Sequence, residues 1–314
     1  MELLRDLIFD YTLRNVALGA AILGVVSGVL GSFAVLRRQG LMGDALSHAA
    51  LPGIALAYMI TGAKTPIVLM IGAGLAGWIG MLLILRIVRH TRIDSGSALG
   101  IVLTVFFGIG IVLLTVIQKS NDGNQAGLDK FLFGQVAALV AEQVATMAIL
   151  GGVALLLVLL LFKEFKLLTF DADFARSLHL PTHALDLLLT SLLVVAIVIG
   201  LNTVGVVLMS AMLVAPAAAA RQWTNRLSVM LVLAAAFGAM GGVAGALFSW
   251  MDKGIAAGPA IILSVTAIFV LSLFLGSARG LVWDWRRARR NRSRLQAPPL
   301  AQDAPAIPET QAPA

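Results

Sequence analysis

Apolar residues along this chain gather into runs of roughly twenty, each long enough to cross a bilayer as one helix. Nearly all lysine and arginine falls outside these runs. The runs lie at 16–36, 41–60, 67–88, 98–117, 136–162, 184–201, 203–220, 227–249 and 258–278. The pattern predicts an all-α, polytopic membrane helical bundle of about nine transmembrane helices, with eight as the alternative count. The basic residues set its orientation, because cytoplasmic loops are enriched in lysine and arginine. Arg37 and Arg38, "RIVRHTR" at 86–92, Lys163, Lys166 and Arg176 in 163–183, and Arg221 and Arg226 all mark the inside. Residues 184–220 then start and end on the same side, so they are two short passes joined by a tight outer turn at "GLNTVG".

Composition sharpens this picture. Hydrophobic residues make up 59% of the 314 and charged residues 12%, with a mean hydropathy of +0.95. A soluble domain carries about twice that share of charge. No cysteine is present, which excludes disulfides and thiolate metal sites. The net charge of +7 comes largely from "RRARRNRSR" (286–294), which reads as a cytoplasmic membrane anchor, not a nucleic-acid surface. Three regions follow: an N-terminal interfacial segment (1–15), the transmembrane domain (16–278), and a basic, then Pro/Ala-rich disordered cytoplasmic tail (279–314). Gly24 with Gly28, and Gly241 with Gly245, have the spacing that lets helices pack closely.

Most charges fall between the runs or at their ends; three ionisable residues are exceptions, Asp44, His48 and Glu142. Such groups are costly at membrane depth, by about 2.5–3.5 kcal/mol on insertion scales, and therefore mark function by default. Glu142 lies within two turns of the start of its span and can snorkel to the outer surface. Asp44 and His48 are four residues apart, one turn along the same helix face. Their oxygen and nitrogen suit divalent first-row metals, though two ligands leave the set incomplete. A symmetric second copy would supply two more. Pro52 cannot donate to the carbonyl of residue 48, so a helix break is expected at Pro52 and Gly53. Spacing alone leaves two readings open: a metal site, or an Asp–His bond that pins two helices.

No phosphate-binding G-x-x-x-x-G-K-[ST] loop, nucleophile elbow or zinc-hydrolase motif occurs, so no catalytic residue is assigned and the chain is expected not to be an enzyme. If ATP drives it, a separate subunit must dock, and the longest internal cytoplasmic loop is 163–183. There "DADFARSL" predicts a short helix opened by an aspartate cap and closed before Pro181.

"LRRQGLMGDALSHAALPGIALAY" (36–58) resembles the signature of the ABC-type manganese/zinc/iron permeases, the membrane subunits of bacterial metal importers. "GLDKFLFGQ" (127–135), "FDADFARSLHL" (170–180) and "NTVGVVLMSAMLVAPAAAARQ" (202–222) agree, in the expected order, over about residues 14–276. The resemblance implies a type II ABC importer-like fold in the bacterial cytoplasmic (inner) membrane. It implies an identical or paralogous second permease protomer, cytoplasmic ABC ATPase subunits that use ATP, and an extracytoplasmic metal-binding protein. It implies that Asp44 and His48 contact the transported Mn(II), Zn(II) or Fe(II), with no permanently bound cofactor. It implies that Phe170, Asp171, Asp173, Phe174, Ala175, Arg176, Ser177 and Leu178 couple to the ATPase. The segment 127–135 looks more like the manganese/iron branch. His179 departs from the family, which usually has glycine there, and this bears on the helix cap. Two rival functions remain: a proton-coupled secondary metal transporter, in which the pair relays protons, and a membrane scaffold with an Asp–His clasp.

Overall fold

The computed structural model describes residues 10–62, 65–119, 139–251 and 255–280. The segment 127–135, the N-terminal residues 1–9 and the tail 281–314 lie outside the described residues. Nine long helices occur among the described residues, one for each expected span. They are α1 (Tyr11–Leu36), α2 (Met42–Thr61), α3 (Pro66–His90), α4 (Ser95–Lys119), α5 (Ala141–Leu160), α8 (Thr182–Thr203), α9 (Val206–Trp223), α10 (Leu227–Met251) and α11 (Ala257–Leu275). Two short helices, α6 (Phe162–Phe170) and α7 (Ala172–Ser177), lie between α5 and α8. Seven of the long helices have the length and hydropathy to cross a membrane. The other two, α2 and α9, are the ones with an internal proline, Pro52 and Pro216.

Helix α1 is the axis of the bundle. It begins at Tyr11, ahead of the expected start, because Asp10 accepts a hydrogen bond from the Leu13 amide at 2.9 Å and caps the first turn. Most of its span is buried, and it packs antiparallel on α10. The two meet through Gly24 against Gly238 and Gly28 against Ala234, where an added Cβ would collide with main-chain atoms. In lipid no water is released when helices meet, so such backbone contact carries the association. Gly241 and Gly245, the other expected pair, face Val265 and Ile261 of α11.

Helix α2, which carries Asp44 and His48, is packed between α3, α4, α8 and α9. Gly53 meets Gly72 of α3 backbone to backbone, and Gly110 of α4 meets Leu51 and Pro52. The outer turn between α8 and α9 is tight, as expected, and is made by Val204 and by Gly205 at φ 85. The expectation of one short helix in 163–183 is corrected to two. "FKEFKLLTF" is itself helical, with Phe165 buried edge-on against Phe33 at 6.0 Å and Lys163 and Lys166 on its other side. The inner helix ends are tied by charge: Asp186 pairs with Arg37 and lies 3.8 Å from Arg89.

Candidate functional site

Asp44 and His48 occupy the first turns of α2, one turn apart on one face. Their neighbours are Gly43, Ser47 and Ala49, small enough for α9 and α3 to come close. A Cβ on Gly43 would touch Leu213 at 3.2 Å, and one on Gly80 would touch Ala49 at 2.9 Å. Ser47 satisfies itself by donating to the Gly43 carbonyl at 2.6 Å. The His48 ring stands edge-on to Phe107 of α4, with centroids 4.8 Å apart, and this fixes its plane. Its side chain is 15% exposed and that of Asp44 35%.

The distance between the two groups bears on both readings of the motif. His48 Nε2 lies 3.4 Å from Asp44 Oδ1. A good N–H···O bond is about 2.7–3.2 Å, so the pair is a poor clasp. Two ligands at about 2.1 Å from one ion, at a tetrahedral angle, stand about 3.4 Å apart. His48 Nδ1 is buried with no hydrogen-bond partner. The ring packs against Phe107, and the spacing of the pair is one that a shared cation would also allow. Among the described residues no group of three or more His, Cys, Asp or Glu forms, so none of them adds a further such ligand to the pair.

Pro52 does not end the helix. Helix α2 runs through it to Thr61, so the expected break is reduced to the one bond that proline cannot make to the His48 carbonyl. Gly53 serves close packing against α3. Glu142 is exposed in the first turn of α5, and the ring-bearing His90, His179 and His183 are exposed as well.

On the inner side, α7 has the expected cap: Asp171 accepts from the Phe174 amide at 2.9 Å, and Asp173 pairs with Arg176 at 3.2 Å. Phe170, Phe174 and Leu178 recur every four residues and are each more than half exposed, outside any span. Ser177 donates back to the Phe174 carbonyl at 2.8 Å. Ala175 is fully buried and presents nothing outward. His179 takes the left-handed conformation, φ 57, that a glycine would. Its amide donates to the Arg176 carbonyl at 2.9 Å, and the Leu180 amide to the Ala175 carbonyl at 3.2 Å. These two bonds make a complete Schellman cap despite the departure from glycine.

Phe107 and the Arg37–Asp186–Arg89 cluster escaped the sequence reading. Phe107 is one apolar residue among many in its span. Asp186 lies near a span end, where a charge is ordinary.

The ABC 3 transport family matches residues 9–276. The chain is 49% identical over 290 residues to the zinc transport system membrane protein TroC of Treponema pallidum, covering 92% of this chain and 97% of that one. It is 50% identical over 276 residues to the manganese transport system membrane protein MntC of Bacillus subtilis, covering 88% of this chain and 63% of the longer relative. A solved structure of PsaBC from Streptococcus pneumoniae in complex with Fab superposes with a TM-score of 0.77 at 34% identity, covering 88% of this chain and 96% of that one.

Proposed function

This chain belongs to the ABC 3 transport family, and from that premise we propose that it is the membrane permease subunit of an ATP-binding-cassette importer for divalent transition metals. It is a multi-pass protein of the bacterial cytoplasmic membrane and not an enzyme; a separate ATPase subunit hydrolyses ATP. The transported ion is Mn(II) or Zn(II), the cargoes named for the two relatives, and Fe(II) shares the same donor preferences.

The observation that carries the reading is the Asp44–His48 pair, 3.4 Å apart on a close-packed helix in a chain of this family. The pair serves as a transient station for the ion, with ionised Asp44 and neutral His48 as the ligating forms. An identical or paralogous second protomer supplies the remaining ligands. An extracytoplasmic binding protein delivers the ion to the outer mouth. The exposed Phe170, Phe174 and Leu178, with Arg176 and Asp173 between them, seat in the ATPase, and Asp171 and Ser177 hold that helix in shape. Closure of the ATPases moves α7 and, through α6 packed on Phe33 of α1, re-aims the bundle.

Metal-resolved uptake, measured by elemental analysis of cells with and without the protein, tests this. Asp44→Asn combined with His48→Gln should abolish accumulation of manganese or zinc while membrane expression stays unchanged. Full uptake by the expressed double variant would remove the pair from the pathway.

A further inference from the structure

Two cavities lie along helices α3 and α8, one at the basic end of the bundle and one farther along, and together they mark the α3/α8 crevice. At the basic end, Arg86, Arg89 and His90 of α3 face His183 of α8 around a cavity of about 370 Å³, walled by Leu85 and Leu187. Further along lies a second, almost wholly apolar cavity of about 520 Å³, shared with α5 and lined by Ile67, Leu75 and Trp78 of α3, Val194 and Val198 of α8 and Leu150 of α5; Leu75 and Trp78 form its edge nearest the basic end. Trp78 Nε1 donates to Ser191 Oγ at 3.1 Å there and fixes the indole in the wall.

The charge at the head of the crevice is unbalanced. Asp186 is the acid nearest it and is already held by Arg37 and approached by Arg89. No acid pairs with Arg86 among the described residues. The crevice thus offers guanidinium and imidazole groups at the membrane surface and a hydrocarbon wall beneath them. Guanidinium groups match phosphate oxygens in pairs. From Arg86 to Leu75 the α3 axis advances by about 16 Å, close to the roughly 15 Å depth of one leaflet's hydrocarbon.

We propose that the α3/α8 crevice binds an anionic phospholipid of the cytoplasmic leaflet, its phosphate at Arg86, Arg89, His90 and His183 and one acyl chain along Leu85, Trp78 and Leu75. Neither Asp44 nor His48 lines either cavity, and the proposal depends only on the basic end facing the cytoplasm. Basic pockets between membrane helices on that side suit anionic headgroups.

Trp78 reports on the crevice directly. The full chain, with Trp223, Trp250, Trp283 and Trp285 each changed to Phe, is reconstituted in phosphatidylcholine vesicles. These contain equal mole fractions of chain-brominated phosphatidylglycerol or chain-brominated phosphatidylcholine. The brominated phosphatidylglycerol should quench Trp78 several-fold more strongly. Arg86→Gln should weaken that preference about fivefold, Arg86→Gln with His183→Gln should abolish it, and Arg86→Lys should retain most of it. The comparison of lipids in the parent decides even if a variant folds poorly. Equal quenching by the two lipids overturns the proposal, as does a preference that survives in the double variant. A preference erased by inorganic phosphate at constant ionic strength assigns the cluster to a soluble anion and also overturns it. So does protection of Trp78 from both lipids together with crosslinks between two copies through Arg86→Cys.

Discussion

At the scale of single residues, His179 shows a side chain holding a conformation that its chemistry disfavours. A non-glycine residue at φ 57 carries a Cβ–carbonyl clash of roughly 1–2 kcal/mol. The Schellman bonds and the helix above it hold it there. His179→Gly should therefore slow hydrogen exchange of the Leu180 amide by about fivefold or more, the equivalent of about 1 kcal/mol; unchanged exchange would show that the cap carries no strain. Asp186 presents the opposite case, a carboxylate only 16% exposed between two arginines. Asp186→Asn leaves Arg37 buried without its counter-ion and should cost about 3 kcal/mol in detergent unfolding. Combining it with Arg37→Gln should recover most of that loss. Asp94 opens α4 by accepting from Ser97 Oγ at 2.6 Å and from the amides of Gly96 and Ser97. The Ser97 hydroxyl above all holds its carboxyl below the ordinary aspartate range. A lowered folded value means that its contribution is present above the unfolded value and is lost as pH falls through the folded one. Fraying at Ser95–Leu99 should thus appear only in acid, below the ordinary carboxylate range, and be seen by amide exchange.

Between elements, backbone contact replaces side-chain burial. Because α1 and α10 touch through Gly24 and Gly238, a branched side chain at either position meets main chain and not a movable side chain. Gly238→Val should destabilise the bundle by at least the roughly 1–3 kcal/mol of an overpacked core, read as a lowered unfolding midpoint in detergent. Gly152 has open space around it, so Gly152→Ala should be neutral in the same assay. The short helix α7 and its flanks make a different demand. Its outward residues are Phe170, Phe174, Arg176 and Leu178, whereas Ala175 is buried. A photo-crosslinker at Arg176 should capture the ATPase subunit in the assembled transporter and one at Ala175 should not. Failure at both Arg176 and Phe174 would remove α7 from the docking surface.

Over the whole molecule, the number and order of long helices were legible because hydrocarbon thickness imposes one length on every crossing. Their expected orientation rests on lysine and arginine, which concentrate at one end of the bundle. The candidate pair was legible too, since Asp44 and His48 interrupt a run that lipid would otherwise keep apolar, and four-residue spacing puts them on one face. "FKEFKLLTF" was missed because a short amphipathic helix has no minimum length set by the membrane, and its alternation of Phe, Lys and Leu also suits a loop lying on the bundle. The continuity of α2 through Pro52 could not be read from the proline, since a helix gripped on several sides by α3, α4 and α9 tolerates the loss of one hydrogen bond. The sequence by itself determined what must lie in lipid and which side chains are out of place there, because both follow from the local cost of transfer. Only the tertiary structure decided that Phe107 fixes the His48 ring, that Arg37 and Arg89 converge on Asp186, and that Arg86 and Trp78 share a crevice with α8. Those facts depend on residues far apart in the chain, and their meeting is set by which glycines let which helices touch.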